Sequence, residues 1–324
     1  MRYQLRLSMK CTFPLLIVVL VFARASIGFA DESLFKREKE IIYGRKHGLA
    51  MTLDIFQPLA KRNNRGIVFV VSGGWFSAQN QIDGMAKRLN WVALIKRGYT
   101  LFAVVHGSQP KYTIPEIRED MHRAVRFIRH NAGDYGIDPG QIGIFGGSAG
   151  GHLSLMQGTA GLDGDPDASD TVERQSSRVQ AVVSYFPPTD FLNYGGEGEH
   201  FDKYIRDLYN GKNLFLAALD FHSYDSGQNW YERVMDDAEV RDRLREAAPV
   251  THVSKGDAPT LIIHGDADTL VPIQQAHRMM PKFKAAGVEA RLLVMPGKDH
   301  GWKAEPAEVK TVGEWFDKHL LGAR

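Results

Sequence analysis

From about residue 38 onward the chain switches repeatedly between short β-rich runs and helical spacing. EIIYGRKHGLAMTLDIFQP, residues 40–58, flanks a glycine turn with apolar residues and predicts a two-stranded hairpin. GIVFVVSGGW, residues 66–75, opens as a continuous β-branched run, the pattern of a strand covered on both faces. A helix is predicted from about Gly84 to Lys96, then a strand over TLFAVVH, residues 100–106. In IPEIREDMHRAVRFIRHNAG the residues Ile117, Met121, Val125 and Ile128 recur at helical spacing, and Gly133 ends the helix. IGIFGGS predicts another strand and a helix follows from about Gly151, after which VQAVVSYFPP, residues 179–188, reads as a further buried strand. The rhythm resumes late in the chain. APTLIIHGD is a strand, a helix runs from Pro272 to Gly287, EARLLVMPG is a strand, and EPAEVKTVGEWFDKHL is a closing helix.

Strands alternating with helices predict an α/β fold, a mostly parallel central sheet with helices on both faces. Residues of about 190–250 break the alternation. They are rich in Tyr, Phe, Asp and Gly and read as an inserted, helical, cap-like segment. No internal repeat or low-complexity tract interrupts the rest.

Charge changes the picture only at the N-terminus. Residues 1–30 hold Arg2, Arg6, Lys10 and Arg24 and no acid, and they enclose the apolar run FPLLIVVLVF. This reads as an export signal with cleavage after Ala30 or Ala25, giving a secreted or periplasmic protein with a domain over residues 31–324. The run is short for a membrane span, although a retained anchor is the alternative. With those four cations set aside, the 40 basic residues fall to 36 against 38 acidic ones. That balance predicts neither a nucleic-acid surface nor a polybasic membrane patch. Cys11 is the only cysteine and precedes the apolar run, so the mature chain would have no disulfide, thiol nucleophile or thiolate metal site.

The candidate chemistry lies at strand ends, where a parallel sheet puts its reactive groups. In GGSAGG, residues 146–151, Ser148 sits between a predicted strand and a predicted helix and fits the G-x-S-x-G nucleophile elbow. Its glycines allow a tight, strained turn without side-chain collisions. A serine hydroxyl needs a base and a group to orient that base. HGDADTLVP supplies Asp266 and Asp268 at one later strand end, and PGKDHGW supplies Asp299 and His300 at the next. The order Ser, Asp, His is the one expected on such a sheet. For the acid, the residues favour Asp268, then Asp190 after SYFPPTD, then Asp266, which reads as a turn-securing group. Asp299 reads as a loop-stabilising carboxylate. An oxyanion needs two backbone N–H donors. Ala149, next to the serine, is one; Gly74 and Trp75 in SGGW are the candidates for the other, with Gly73 supporting the turn.

At SGGW, YGIDPGQIGIFGGSAGGHLSL, HGDADTLVP and KDHGW the chain resembles α/β-hydrolase-fold esterases, closest to the feruloyl- and acetylxylan-esterase-like and hormone-sensitive-lipase-like groups. The resemblance runs from residue 66 nearly to the end. It implies Ser148 as nucleophile, Asp268 as the acid and His300 as the base, with no cofactor and no metal. It also implies small acyl or acetyl esters, including carbohydrate-linked ones, as substrates. Three features depart from the pattern. Ser72 stands where the oxyanion loop usually starts with a histidine that braces it. HGSQPKY, with His106 and Ser108, replaces the usual Tyr-Arg; packing is the simpler role for His106, and an acyl-pocket role the other. The segment 190–250 matches no familiar cap and is the place to expect substrate preference. The same triad also serves amidases and prolyl-oligopeptidase-type peptidases, although about 35 mature residues before the hydrolase region leave no room for a propeller. A hydrolase-like binding protein is the reading from a different class, and such proteins generally lack a triad member.

Overall fold

The computed structural model describes residues 33–322 apart from 213, 214, 226 and 229. The export signal and Cys11 fall outside the described residues. From Ser33 onward the chain forms one unit built on an eight-stranded sheet in the order β1-β2-β4-β3-β5-β6-β9-β10.

The expected hairpin is present and starts earlier than the apolar pattern alone suggested. Strands β1 (Phe35–Lys46) and β2 (Leu49–Pro58) pair antiparallel around His47 and Gly48, both with positive φ, the turn that matches strand twist. Strand β2 also pairs antiparallel with β4 (Thr100–Val105). Every other neighbour is parallel: β3 (Gly66–Val71), β4, β5 (Ile142–Gly147), β6 (Ala181–Tyr185), β9 (Thr260–Gly265) and β10 (Ala290–Met295). Strands β3 and β9 are buried along their whole length, as their unbroken apolar runs require.

Helices cover both faces. The helix expected over 84–96 is two, α1 (Ile82–Leu89) and α2 (Val92–Lys96), because Asn90 adopts a left-handed conformation (φ 49°) that ends the first. Trp91, at that break, turns inward and packs on Phe56 and Phe69, with Phe145 beyond. On the other face α3 (Ile114–His130) buries Ile117, Met121, Val125 and Ile128, the stripe its spacing predicts, and a short turn α4 (Ala132–Tyr135) follows. Helix α5 (Ala149–Thr159) begins directly after Ser148, two residues before the expected start, and is buried throughout. The carboxyl-terminal pair are α8 (Gln274–Ala286) and α9 (Pro306–Phe316), the latter running on as a wider turn to Leu321.

The inserted segment is not purely helical. It holds α6 (Phe201–Leu208), a turn at Leu216–Leu219, a two-stranded hairpin of β7 (His222–Asp225) and β8 (Trp230–Arg233), and α7 (Asp237–Glu246). Its Tyr and Phe residues hid the hairpin: β7 and β8 are four residues each, too short for an apolar period to declare itself. No helix of the described residues is long and apolar enough to cross a membrane.

Candidate active site

Ser148 has φ 56° and ψ −123°, a strained conformation for a side chain with a Cβ, held between β5 and α5. Its N–H donates to the Tyr185 carbonyl (2.9 Å) at the end of β6, and its own carbonyl accepts from His152 N–H (2.9 Å), one turn into α5. The flanking glycines supply clearance: none has positive φ, so conformational freedom is not their role. A Cβ on Gly146 would lie 2.5 Å from the Gly150 carbonyl oxygen, and one on Gly150 would lie 2.8 Å from the Val70 carbonyl oxygen. Backbone therefore meets backbone at both positions, and only glycine fits.

His300 comes from the loop after β10. Its Nε2 lies 2.9 Å from Ser148 Oγ and its Nδ1 lies 2.8 Å from Asp268 Oδ2. Asp268 Oδ1 accepts from the N–H groups of Leu270 (3.1 Å) and Val271 (2.8 Å). Burial alone would raise the Asp268 pKa. Contacts with His264 and His300 and the Val271 N–H outweigh it and hold the carboxyl down at about 2. His264, on β9, stands 3.5 Å from the same Oδ2 and is anchored through Nε2 to the Val271 carbonyl (2.8 Å). An ionised carboxylate on Nδ1 fixes the imidazole with a proton there and leaves Nε2 free to accept from the serine. That is the geometry in which a serine hydroxyl loses its proton to an imidazole.

The other acids are engaged elsewhere. Asp190 pairs with Arg278 (Nε to Oδ2, 2.7 Å) and closes its own loop through Asn193. Asp266 Oδ1 accepts from Gly297 N–H at 2.6 Å, the turn-securing role expected of it. Asp299 accepts from Thr269 N–H (2.9 Å) and His300 N–H (2.7 Å), stapling the loops that carry Asp268 and His300. Those contacts, the Thr269 N–H foremost, keep its carboxyl below the usual range.

Ala149 is the first residue of α5, so its N–H has no partner within the helix and points with the helix dipole toward the space beside Ser148. Gly74 (φ 57°) and Trp75 (φ 59°) form the tip of the facing loop, closed by reciprocal hydrogen bonds between Gly73 and Phe76. With Ser72 in place of a histidine the loop is braced differently. Trp75 Nε1 donates to His152 Nδ1 (3.2 Å), while His152 Nε2 donates to the Ala247 carbonyl (2.7 Å) after α7. Gln109 adds two more ties, its Nε2 to the Gly74 carbonyl and its N–H to the Trp75 carbonyl (3.2 Å). Burial pushes His152 down to about 4, partly offset by the Ala247 carbonyl, so the ring is neutral and its tautomer is set by its two partners. The glycines beside it drew attention to this stretch; the histidine, buried and directly after Gly151, was the missed signal. Ser72 lines the site with its Oγ lacking a partner among the described residues. His106 and Ser108 do not line it; His106 is buried with Nδ1 on the Gly107 carbonyl (2.7 Å), and Ser108 ties down Ser77.

Two cavities meet at the serine. The larger, about 260 Å³, is bordered by Gly74, Met85, Arg88, Phe186, His300 and Gly301, among others. The smaller, about 30 Å³, is apolar and is enclosed by Trp75, Ala149, Tyr194, Phe201, Ile205 and Val271, among others. Gly74, Ser148, Phe215 and Leu270 border both. Phe186, with φ 38°, sets its ring edge-on to His300 (4.6 Å between centroids). Among the described residues no group of three or more His, Cys, Asp or Glu side chains is placed to hold a metal ion.

The sequence profile of the BD-FAE family matches residues 53–283, most of the sheet and the whole of the inserted segment. The chain belongs to the BD-FAE family. Among curated relatives, a probable carboxylic ester hydrolase, LipM, of Mycobacterium tuberculosis is 29% identical over 252 residues, covering 77% of this chain and 52% of its own length. An isoprenylcysteine alpha-carbonyl methylesterase of Arabidopsis thaliana is 26% identical over 274 residues, covering 81% and 56% respectively. This BD-FAE chain thus spans about half the length of the curated relatives it matches. Among solved structures, a truncated carbohydrate esterase from gut microbiota superposes with a TM-score of 0.69 at 24% identity, over 90% of this chain and 99% of that one. An acetyl ester-xyloside bifunctional hydrolase from Caldicellulosiruptor lactoaceticus gives 0.69 at 22% identity, over 88% and 97%. The shared architecture is the α/β-hydrolase fold.

Proposed function

We propose that this BD-FAE protein is a serine carboxylic-ester hydrolase that works through an acyl-enzyme and takes small acyl esters, carbohydrate-linked ones included. One observation carries the reading: Ser148 Oγ, the His300 imidazole and the Asp268 carboxylate form an unbroken hydrogen-bonded line at the mouth of a cavity. In the reaction His300 Nε2 takes the proton from Ser148 Oγ as that oxygen attacks the ester carbonyl carbon. The N–H groups of Ala149 and of Gly74 or Trp75 hold the developing oxyanion. Collapse breaks the bond to the alcohol oxygen, which leaves with the proton from His300. Water then gives a proton to the same nitrogen and attacks the acyl-serine; as the bond to Ser148 Oγ breaks and the acid leaves, His300 returns that proton to the serine oxygen. The esterase names of the relatives support ester over amide chemistry, and the carbohydrate esterases among the structural neighbours support sugar-linked acyl groups. Ser148→Ala tests it: hydrolysis of p-nitrophenyl acetate should fall to background while the circular dichroism spectrum is unchanged. Retained turnover would overturn the assignment.

A further inference from the structure

We infer that Phe215, carried by the inserted segment, sets the acyl length this enzyme accepts by closing a narrow acyl lobe beside Ser148. The inference rests on the serine-hydrolase reading above and adds which lobe holds which half of the ester.

The assignment of the lobes follows from proton transfer. The alcohol oxygen must be within hydrogen-bond reach of His300 Nε2 when the tetrahedral intermediate collapses. His300 borders the larger cavity and not the smaller, so the alcohol leaves through the larger one. The carbonyl oxygen is directed at Gly74 and Ala149. The remaining substituent of the carbonyl carbon, the acyl chain, then turns into the smaller cavity behind Ala149 and Trp75. Its walls are apolar or aromatic, which suits a hydrocarbon and offers little to a sugar. At about 30 Å³, against about 260 Å³ on the alcohol side, it suits a short acyl chain over a long one.

Phe215 limits that lobe. It borders both cavities and so forms part of the partition between them. Its ring presses on the oxyanion loop so closely that a Cβ on Gly74 would stand 2.5 Å from Phe215 Cε1. Gly74 is thus required twice, for its positive φ and for the ring above it. Phe215 itself has φ 66°, an unfavourable conformation for an aromatic residue, and Tyr209 supports the ring edge-on at 6.3 Å. Strain of this kind persists only where the surroundings over-determine it, and here it turns the ring back over the serine. Among the lobe's other walls, Trp75, Phe201 and Tyr194 are buried; Trp75 and Phe201 pack on each other and on Phe191, and Tyr194 packs on Phe201, so they cannot retreat. Of the lobe's two half-buried apolar side chains, Phe215 and Leu270, Phe215 is the larger and the one carried by the inserted segment, and its removal enlarges the space without emptying the core.

The test is a series of p-nitrophenyl esters from acetate to octanoate. The wild-type protein should prefer acetate and propionate, with kcat/KM falling at least tenfold by hexanoate. In Phe215→Ala the hexanoate-to-acetate ratio of kcat/KM should rise about tenfold or more, near what two newly buried methylenes supply. In Phe215→Trp the cut-off should move toward acetate. A wild-type protein that hydrolyses octanoate as well as acetate overturns the inference while leaving Ser148 as nucleophile. So does a Phe215→Ala variant whose rates fall uniformly across the series. Failure of the serine reading looks different, because Ser148→Ala would then retain activity on every ester. Should Phe215→Ala not fold, Phe215→Leu and the wild-type series still decide.

Discussion

At the scale of single residues, the choice among the acids is the sharpest outcome. Asp268, Asp190 and Asp266 all follow strand ends, and no one-dimensional spacing separates them with certainty. What separates them is their partners: only Asp268 reaches His300, while Asp190 is held by Arg278 and Asp266 by a backbone N–H. Asp268→Asn should lower kcat by on the order of 10³–10⁴, because an amide cannot hold the imidazole in the tautomer that accepts from serine. Asp190→Asn should leave kcat within about threefold and cost about 1 kcal/mol of stability through Arg278. Steady-state kinetics and urea unfolding of the two variants check both statements; the reverse ranking would contradict the geometry. Ser148 and His300 were legible in the sequence because each is punctuated by glycine at the end of an apolar run. Phe215 was not, since a residue in an irregular segment reveals its neighbour across the active site only once the chain has folded.

At the scale of elements, the parallel strands and the long helix α3 were legible because buried strands and amphipathic helices carry their period in the sequence. The break at Asn90 and the hairpin β7–β8 were not, as one left-handed residue and two four-residue strands leave almost no periodic trace. The brace of the oxyanion loop also belongs to this scale, for it joins three elements. His152 on α5 accepts from the loop through Trp75 and donates to the residue after α7 through Ala247, so one neutral ring ties loop, nucleophile helix and inserted segment together. Where the resemblance expects a bracing histidine within the loop, the tie here comes from α5 below it. His152→Ala should release Trp75 and let the Gly74 donor wander. Losing such a donor outright costs about 2.7–4 kcal/mol of barrier, so loosening it should lower kcat by about tenfold with KM nearly unchanged. A fall in stability with kcat intact would make His152 a packing residue only.

At the scale of the whole molecule, burial of neutral imidazoles makes the fold acid-sensitive. Burial lowers His106 and His152 to about 4 and His122 to about 3. A histidine whose folded pKa is depressed contributes full stability above its unfolded value of about 6.5 and loses it as pH falls toward the folded value. Three such groups give a slope of up to about 4 kcal/mol per pH unit between about pH 6 and pH 4. The Asp268 carboxylate, at about 2, adds a further loss only below about pH 4. Urea midpoints should therefore decline steeply from pH 6.5 to pH 4.5, and a flat profile there would mean that these rings are not buried neutral. The central claim concerns one oxygen atom, and covalent labelling addresses it directly. After treatment with a fluorophosphonate, peptide mass spectrometry should find the phosphonyl adduct on Ser148 alone, formed far more slowly in His300→Ala. An adduct on another serine, or none on the folded wild-type protein, would contradict the account.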